Sequence, residues 1–224
     1  MYLSFINLIN KVRPKAFVVE NVPGIKSLYN GEIFEEIIKR FQLLNYNLEY
    51  EIINMADYGV PQVRKRLIIV GLQKQFGNFT FPSPTHNSKN YITCKDAISD
   101  LPPRLPEFGI GDDKDLYLDE PETSYQKRIR GKNTILWNHV GTNHKDFVIK
   151  TIAMVPDGGN YKSLPKELHS TRKVNIAWTR LNSNKPSFTI DTGHNHHFHS
   201  LQLHHHSTYH RQTLDAFCSL IRLH

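Results

Sequence analysis

Two continuous apolar runs, each joined directly to charged residues, constrain the fold of this chain more than any other feature. The first, "AFVVEN", covers residues 16–21, and the second, "RKRLIIVGL", covers residues 64–72. Such runs are typical of strands buried in an α/β sheet. Apolar residues at helical spacing predict helices over residues 2–12 and 33–44. We therefore expect the α/β class, with functional loops at the carboxyl ends of strands.

Glu20 and Asn21 stand where the first apolar run ends, shortly before a Pro-Gly turn. One interpretation is structural, because this pair can help to form the loop. The other is chemical, because a carboxyl group held partly desolvated at a strand end can donate or share a proton with a bound ring. The two residues alone leave both interpretations open.

A Q-x-R-x-R pattern, formed by Gln62, Arg64 and Arg66, precedes the second apolar run. Along an extended segment these three side chains project to the same face. Two guanidinium groups on one face suit a phosphate or a base oxygen, because each offers a planar fork of donors. A solvated edge strand is the alternative, although these charged residues directly precede the apolar residues of a core strand.

Together, in this order and spacing, the two segments resemble the DNA cytosine-5 methyltransferase family. "VVENVPGI" is similar to the family's segment that carries the catalytic glutamate, and "YGVPQVRKRLIIVG" resembles its Q-x-R-x-R signature almost end to end. The resemblance is strong over residues 15–72 and looser over residues 91–199. The similar segments of the second part are "YITCKDAISDLPP", "TILWNHVG", "VPDGGNYKSLP" and "TRLNSNKPSFTIDTGHNHHFH".

The resemblance implies an incomplete Rossmann-like methyltransferase sheet followed by a smaller, irregular target-recognition domain. This family flips a cytosine out of double-stranded DNA, attacks C6 with a cysteine, and transfers a methyl group from S-adenosylmethionine to C5. By the resemblance, Glu20 contacts N3 and the exocyclic amine of the base, and Asn21 orients the neighbouring loop. Arg64 and Arg66 would hold the base, its phosphate and the surroundings of the nucleophile. The implied setting is a bacterial restriction-modification system.

Three regions are expected along the chain: residues 1–82 as the C-terminal half of the catalytic domain, 83–185 as the target-recognition region, and 186–224 as the return to the catalytic domain. The net charge of +7 favours a polyanionic partner. The polar, proline-containing stretch "FPSPTHNSKN" is read as a linker. The residues expected to contact DNA are Gln62, Arg64, Arg66, Lys127, Arg128 and Arg130.

The sequence departs from the family pattern before Glu20. The family's glycine-rich cofactor loop and Pro-Cys nucleophile precede the glutamate strand, and here the 19 preceding residues contain neither cysteine nor glycine. Cys94 and Cys218 are interpreted as ordinary thiols. We therefore expect no cofactor-binding residue in this chain, and a second polypeptide that carries the N-terminal half. A DNA-binding module without catalysis and a non-functional gene remnant are the alternatives.

The end of the chain departs as well. After His199 the similarity stops abruptly, which suggests a shifted reading frame near Ser200. The histidine-rich stretch over residues 193–211 could bind a divalent metal adventitiously, but we expect no physiological metal site. No apolar stretch approaches bilayer length, and the two cysteines form no CxxC pair, so a soluble cytoplasmic protein is expected.

Overall fold

The computed structural model describes residues 2–102, 114–117, 119–137, 146–169 and 179–189. The chain divides into two compact units. The first contains residues 1–58 and 64–87, and the second contains residues 59–63 and 88–224. The predicted domain boundaries at residues 82 and 185 stay predictions.

The first unit contains both helices that the sequence predicts. Helix α1 runs over Tyr2–Val12, as predicted, and helix α2 over Glu32–Leu43. Strand β1 is Ala16–Asn21, β2 is Tyr46–Asn54 and β4 is Lys65–Gln73. Short 3₁₀ turns cover Pro23–Lys26, Leu28–Gly31, Met55–Tyr58 and Lys74–Phe76.

These strands form a three-stranded sheet in the order β1-β4-β2. Strand β4 is antiparallel to both neighbours, so β1 and β2 run parallel to each other and α2 connects them. The prediction that β1 is a buried strand is wrong. Its residues alternate, with Phe17 buried and Val18 62% exposed, because in the described residues the helices pack on one face of the sheet, the face that carries Phe17.

The core of the first unit lies between the sheet and both helices. Phe17 packs against Phe41 and Tyr46, with ring centroids 4.6 and 5.0 Å apart. Ile9 from α1 and Ile37 from α2 complete the centre of this cluster. The hydroxyl of Tyr46, a residue only 1% exposed, donates to the carbonyl of Pro14 at 2.7 Å. This core therefore gives the sheet a rigid apolar support on the face that packs against the helices.

Gly71 is required because the Phe17 ring lies directly over it. The two residues are opposite each other in the β1–β4 register, and a Cβ at Gly71 would meet the ring at 2.3 Å. The ring is packed on every side, so it has little room to move. We expect Gly71→Ala to lower the free energy of unfolding by about 1–3 kcal/mol, measured by urea denaturation. Gly24→Ala is the control, because its Cβ would meet nothing within 4 Å; equal losses would contradict the packing argument.

The second unit contains short elements. Helices α3, α4 and α5 cover Cys94–Ile98, Ser124–Arg130 and Asp146–Ala153. Strand β3 (Gln62–Val63) pairs in parallel with β7 (Ser187–Phe188), and β5 (Lys114–Leu116) pairs antiparallel with β6 (Ile135–Trp137). Short 3₁₀ turns cover Tyr161–Ser163 and Lys166–Leu168. None of the helices in the described residues is long and apolar enough to cross a membrane.

Candidate functional site

The sheet of the first unit brings Glu20 and Arg66 together. Because β4 is antiparallel to β1, the carboxyl end of β1 lies beside the amino end of β4. Glu20 is opposite Ile68, so Arg66, two residues before Ile68, is its diagonal neighbour on the same face. The strand register therefore positions both side chains.

Two guanidinium groups face the Glu20 carboxylate. Arg66 Nε lies 2.6 Å from Glu20 Oε1, and Arg64 Nη2 lies 4.0 Å from the same oxygen. Arg66 Nη1 also donates to the Lys65 carbonyl at 2.8 Å, which fixes its orientation. The Glu20 side chain is 53% exposed, so the partial desolvation that we expected is not present in the described residues. The carboxylate is held by charge and remains open to a ligand.

The cluster carries more positive than negative charge. Burial lowers the pKa of Arg64 from its ordinary value, the neighbouring Arg66 lowers it further, and Glu20 opposes the shift. One carboxylate therefore faces two guanidinium groups that repel each other. Such a site suits a ligand that offers acceptor oxygens to the arginines and a donor to the carboxylate.

Asn21 shapes the turn that follows β1. Its Oδ1 accepts a hydrogen bond from Val22 N at 2.8 Å, directly before the Pro23–Lys26 turn. This contact fits the structural interpretation of the Glu-Asn pair for Asn21. The catalytic role that the resemblance implies for Asn21 stays a prediction.

The extended segment expected over residues 62–66 is interrupted at Arg64, which lies between β3 and β4. Gln62 belongs to β3 in the second unit, where it pairs with Ser187 and is 5% exposed. Its contact with DNA stays a prediction. The site has one support that the sequence analysis missed: Met55 N donates to the Arg64 carbonyl at 3.0 Å. No sequence signal marks this bond, since its acceptor is a main-chain oxygen.

Arg130, which we expected to contact DNA, is a buried structural residue. It is 9% exposed, and its guanidinium carbon lies 4.1 Å from the Tyr117 ring centroid. Its Nη1 donates to the Asp119 carbonyl at 2.5 Å and lies 4.0 Å from the Asp100 carboxylate, and its Nε donates to Asn133 O at 3.2 Å. These contacts occupy the group, so we no longer include Arg130 among the DNA contacts.

The two other basic residues that we expect to contact DNA lie on α4 and are exposed. Lys127 and Arg128 both face solvent, and Arg128 lies 5.5 Å from the Tyr125 ring centroid. Their contact with DNA stays a prediction.

Cys94 has the properties of an ordinary buried thiol. It is 3% exposed, and burial, followed by the charge of Asp157, raises its pKa to about 12. A thiol with this pKa is protonated at neutral pH and is a poor nucleophile. Cys218 and the histidine-rich stretch lie outside the described residues.

Two further motif segments meet within the second unit. The Asp157 carboxylate accepts a hydrogen bond from Ser183 N at 3.0 Å and one from Ser183 Oγ at 2.8 Å. Arg180 N donates to the carbonyl of Gly159 at 2.9 Å. Gly158 has a φ of +71°, and a Cβ there would meet the Asn182 side chain at 2.8 Å. The "PDGGN" and "TRLNS" segments therefore form one closely packed loop pair.

A comparison with protein-family models shows the family to which this chain belongs. The family model of C-5 cytosine-specific DNA methylases matches residues 1–213. The chain belongs to this family. Family members use S-adenosylmethionine and act on DNA. The match extends past Ser200, and the shifted reading frame near that residue stays a prediction that falls outside the described residues.

Relatives within the methylase family cover most of this chain. It is 28% identical over 190 residues to the Type II methyltransferase M1.HphI of Haemophilus parahaemolyticus, covering 85% of this chain and 44% of the relative. It is 32% identical over 169 residues to the Type II methyltransferase M.BsuRI of Bacillus subtilis, covering 70% of this chain and 38% of the relative. The chain therefore spans less than half the length of these curated relatives.

A solved methyltransferase structure shares the fold. The chain matches a DNA modification methyltransferase encoded within an E. coli prophage with a TM-score of 0.66 and 22% identity, covering 84% of this chain and 56% of that one. At this identity the likeness shows the fold alone. The expected fold class, an α/β arrangement with an incomplete Rossmann-like sheet, is confirmed.

Proposed function

We propose that this chain supplies the base-binding part of a DNA (cytosine-5) methyltransferase of a bacterial restriction-modification system. The observation that carries the proposal is the Glu20 carboxylate, open to solvent and held 2.6 Å from Arg66 beside Arg64, in a chain of this family. Double-stranded DNA in the cytoplasm is the proposed substrate.

In the proposed mechanism Glu20 recognises the flipped cytosine by its Watson–Crick edge. The carboxyl group shares a proton with N3 and accepts a hydrogen bond from the exocyclic amine. Protonation at N3 draws electrons from the ring and favours attack at C6. Arg66 holds the carboxylate in one orientation, and Arg64 contributes a second positive charge that can reach the base oxygen or a phosphate. Both strands of the site rest on the packed core, so the geometry is set before the base arrives.

S-adenosylmethionine does not fit the base site that the described residues Glu20, Arg64 and Arg66 form. The cofactor carries a positively charged sulfonium, and the two guanidinium groups beside Glu20 would repel it. We propose that a second polypeptide, with the glycine-rich loop and the Pro-Cys nucleophile, holds the cofactor and attacks the base. The chain covers 44% of the relative M1.HphI.

The test is complementation. This chain is mixed with a polypeptide that carries the glycine-rich loop and the Pro-Cys motif, and the mixture is called the complemented enzyme. We expect transfer of labelled methyl groups to duplex DNA by the mixture, and none by either polypeptide alone. A chain that shifts duplex DNA with a strong salt dependence but never supports transfer would be the non-catalytic binding module.

Arg66→Ala is expected to lower the rate of methyl transfer in the complemented enzyme by about 10–100-fold, because the carboxylate loses the contact that orients it. Arg66→Lys keeps the charge but offers no planar fork, so we expect partial recovery of the rate. Single-turnover methylation kinetics provide the measurement. Unchanged kinetics in the alanine variant would remove Arg66 from the site.

A further inference from the structure

Residues 81–87, the first part of the stretch "FPSPTHNSKN" that is read as a linker, belong to the first unit and are hydrogen-bonded to it. Thr85 N and His86 N both donate to the Asp57 carbonyl at 2.9 Å. The Tyr58 hydroxyl donates to the Pro82 carbonyl at 3.0 Å. We call these five residues, Asp57, Tyr58, Pro82, Thr85 and His86, the linker clasp. Every residue of the linker clasp belongs to the first unit.

The Tyr58 hydroxyl is suited to remain a donor. Partial burial, followed by the carboxylates of Glu51 and Asp57, raises the pKa of Tyr58 above its ordinary value of 10.0. The hydroxyl is therefore protonated throughout the physiological range. Within the linker clasp, Thr85 Oγ1 and His86 Nδ1 also lie 2.8 Å apart.

The linker clasp is connected to Arg64 through a single turn of helix. Asp57 and Tyr58 are the last residues of the Met55–Tyr58 turn, and Asn54 Nδ2 donates to Asp57 Oδ1 at 3.2 Å. The first residue of the turn, Met55, donates its N–H to the Arg64 carbonyl at 3.0 Å. A displacement of the turn would therefore move the backbone of Arg64.

Arg64 depends on this support more than Arg66 does. Arg66 lies within β4 and is paired with Ile53 in the β2–β4 ladder. Arg64 lies between β3 and β4, outside both ladders. The sheet register thus positions one arginine, and the turn held by the linker clasp positions the other.

We propose that Tyr58 is a positioning residue of the base site: its bond to Pro82 holds the turn that places Arg64 opposite Glu20. This inference rests on the proposed function of the site. It makes the stretch between β4 and the second unit a support of the chemistry.

The first test uses this 224-residue chain alone. In Tyr58→Phe we expect the Met55 amide to exchange with solvent about 10-fold faster, measured by NMR, at an unchanged urea midpoint of unfolding. Tyr29→Phe is the matched control, because Tyr29 is 69% exposed in the same unit, and we expect no change in exchange. An unchanged Met55 exchange rate in Tyr58→Phe overturns the proposal.

The second test is a double-mutant cycle in the complemented enzyme. Tyr58→Phe is expected to lower kcat about 10-fold and to leave KM for DNA within about twofold. The same substitution should have no further effect in an Arg64→Lys background and its full effect in an Arg66→Lys background. An equal loss in all three backgrounds overturns the path through Arg64. If the wild-type mixture transfers no methyl group, the proposed function fails, and the exchange measurement still decides the role of Tyr58.

Discussion

Glu20→Gln is expected to lower the rate of methyl transfer by the complemented enzyme about 10²–10⁴-fold. Glutamine keeps the size of the side chain and can still contact the exocyclic amine, but it cannot deliver a proton to N3. The substitution also removes the negative charge that faces Arg66 at 2.6 Å and Arg64 at 4.0 Å. DNA affinity should therefore stay the same or increase. The rate is measured under single-turnover conditions, and the affinity by titration of labelled duplex.

The chain offers a matched control for this substitution. Glu36 and Arg40 on α2 form an exposed ion pair with the same 2.6 Å separation as Glu20 and Arg66. Glu36→Gln removes an equal charge from the same unit, and we expect the rate of methyl transfer to be unchanged. If Glu20→Gln transfers methyl groups as fast as Glu36→Gln, Glu20 has no catalytic role and the proposed function loses its principal support.

Arg130→Ala is expected to lower the free energy of unfolding by about 3–5 kcal/mol. The substitution leaves the Asp100 carboxylate, a group only 4% exposed, without its cation. It also removes the donors to the carbonyls of Asp119 and Asn133 and the cation that lies over the Tyr117 ring. Urea denaturation followed by circular dichroism measures the loss. Arg128→Ala, at an exposed position of the same helix, should change the free energy by only about 0.5 kcal/mol.

The loss in Arg130→Ala should depend on pH. Burial raises the pKa of Asp100 in the folded chain, and Arg130 opposes that shift. Without Arg130 the folded-state pKa rises further above the unfolded value, so the folded chain binds the proton more tightly than the unfolded chain. This contribution is fully present below the unfolded pKa and is lost as the pH rises through the folded pKa. The difference from wild type should therefore be largest at neutral pH and decrease toward about pH 4.

A paired substitution separates the ion pair from general loss of packing. Asp100→Asn combined with Arg130→Met removes both charges, and we expect it to recover much of the stability, since no uncompensated charge remains in the interior. If Arg130→Ala is no more destabilising than Arg128→Ala, Arg130 is not the structural centre of this region. Its expected contact with DNA would then be open again.

The sequence was informative where the pattern is local. Apolar periodicity predicted α1 over residues 2–12 and α2 to within one residue at each end, because a helix buries side chains at a spacing that the sequence displays directly. The alternation of Arg64 and Arg66 also predicted a shared face, and both guanidinium groups do reach Glu20. The order of the motifs also predicted the family, and the family-model match over residues 1–213 confirms it.

Tertiary structure alone decided the rest. The run that contains Val18 looked like a buried strand, but the exposure of Val18 depends on what packs on its face of the sheet, and the helices of the first unit pack on the opposite face, beside Phe17. Arg128 and Arg130 have the same chemistry in the sequence, and only packing buries one of them. The bonds that hold residues 82–86 end on the main-chain carbonyls of Asp57 and Pro82. Every residue carries a main-chain carbonyl oxygen, so the sequence does not show which of these oxygens accept hydrogen bonds in the fold.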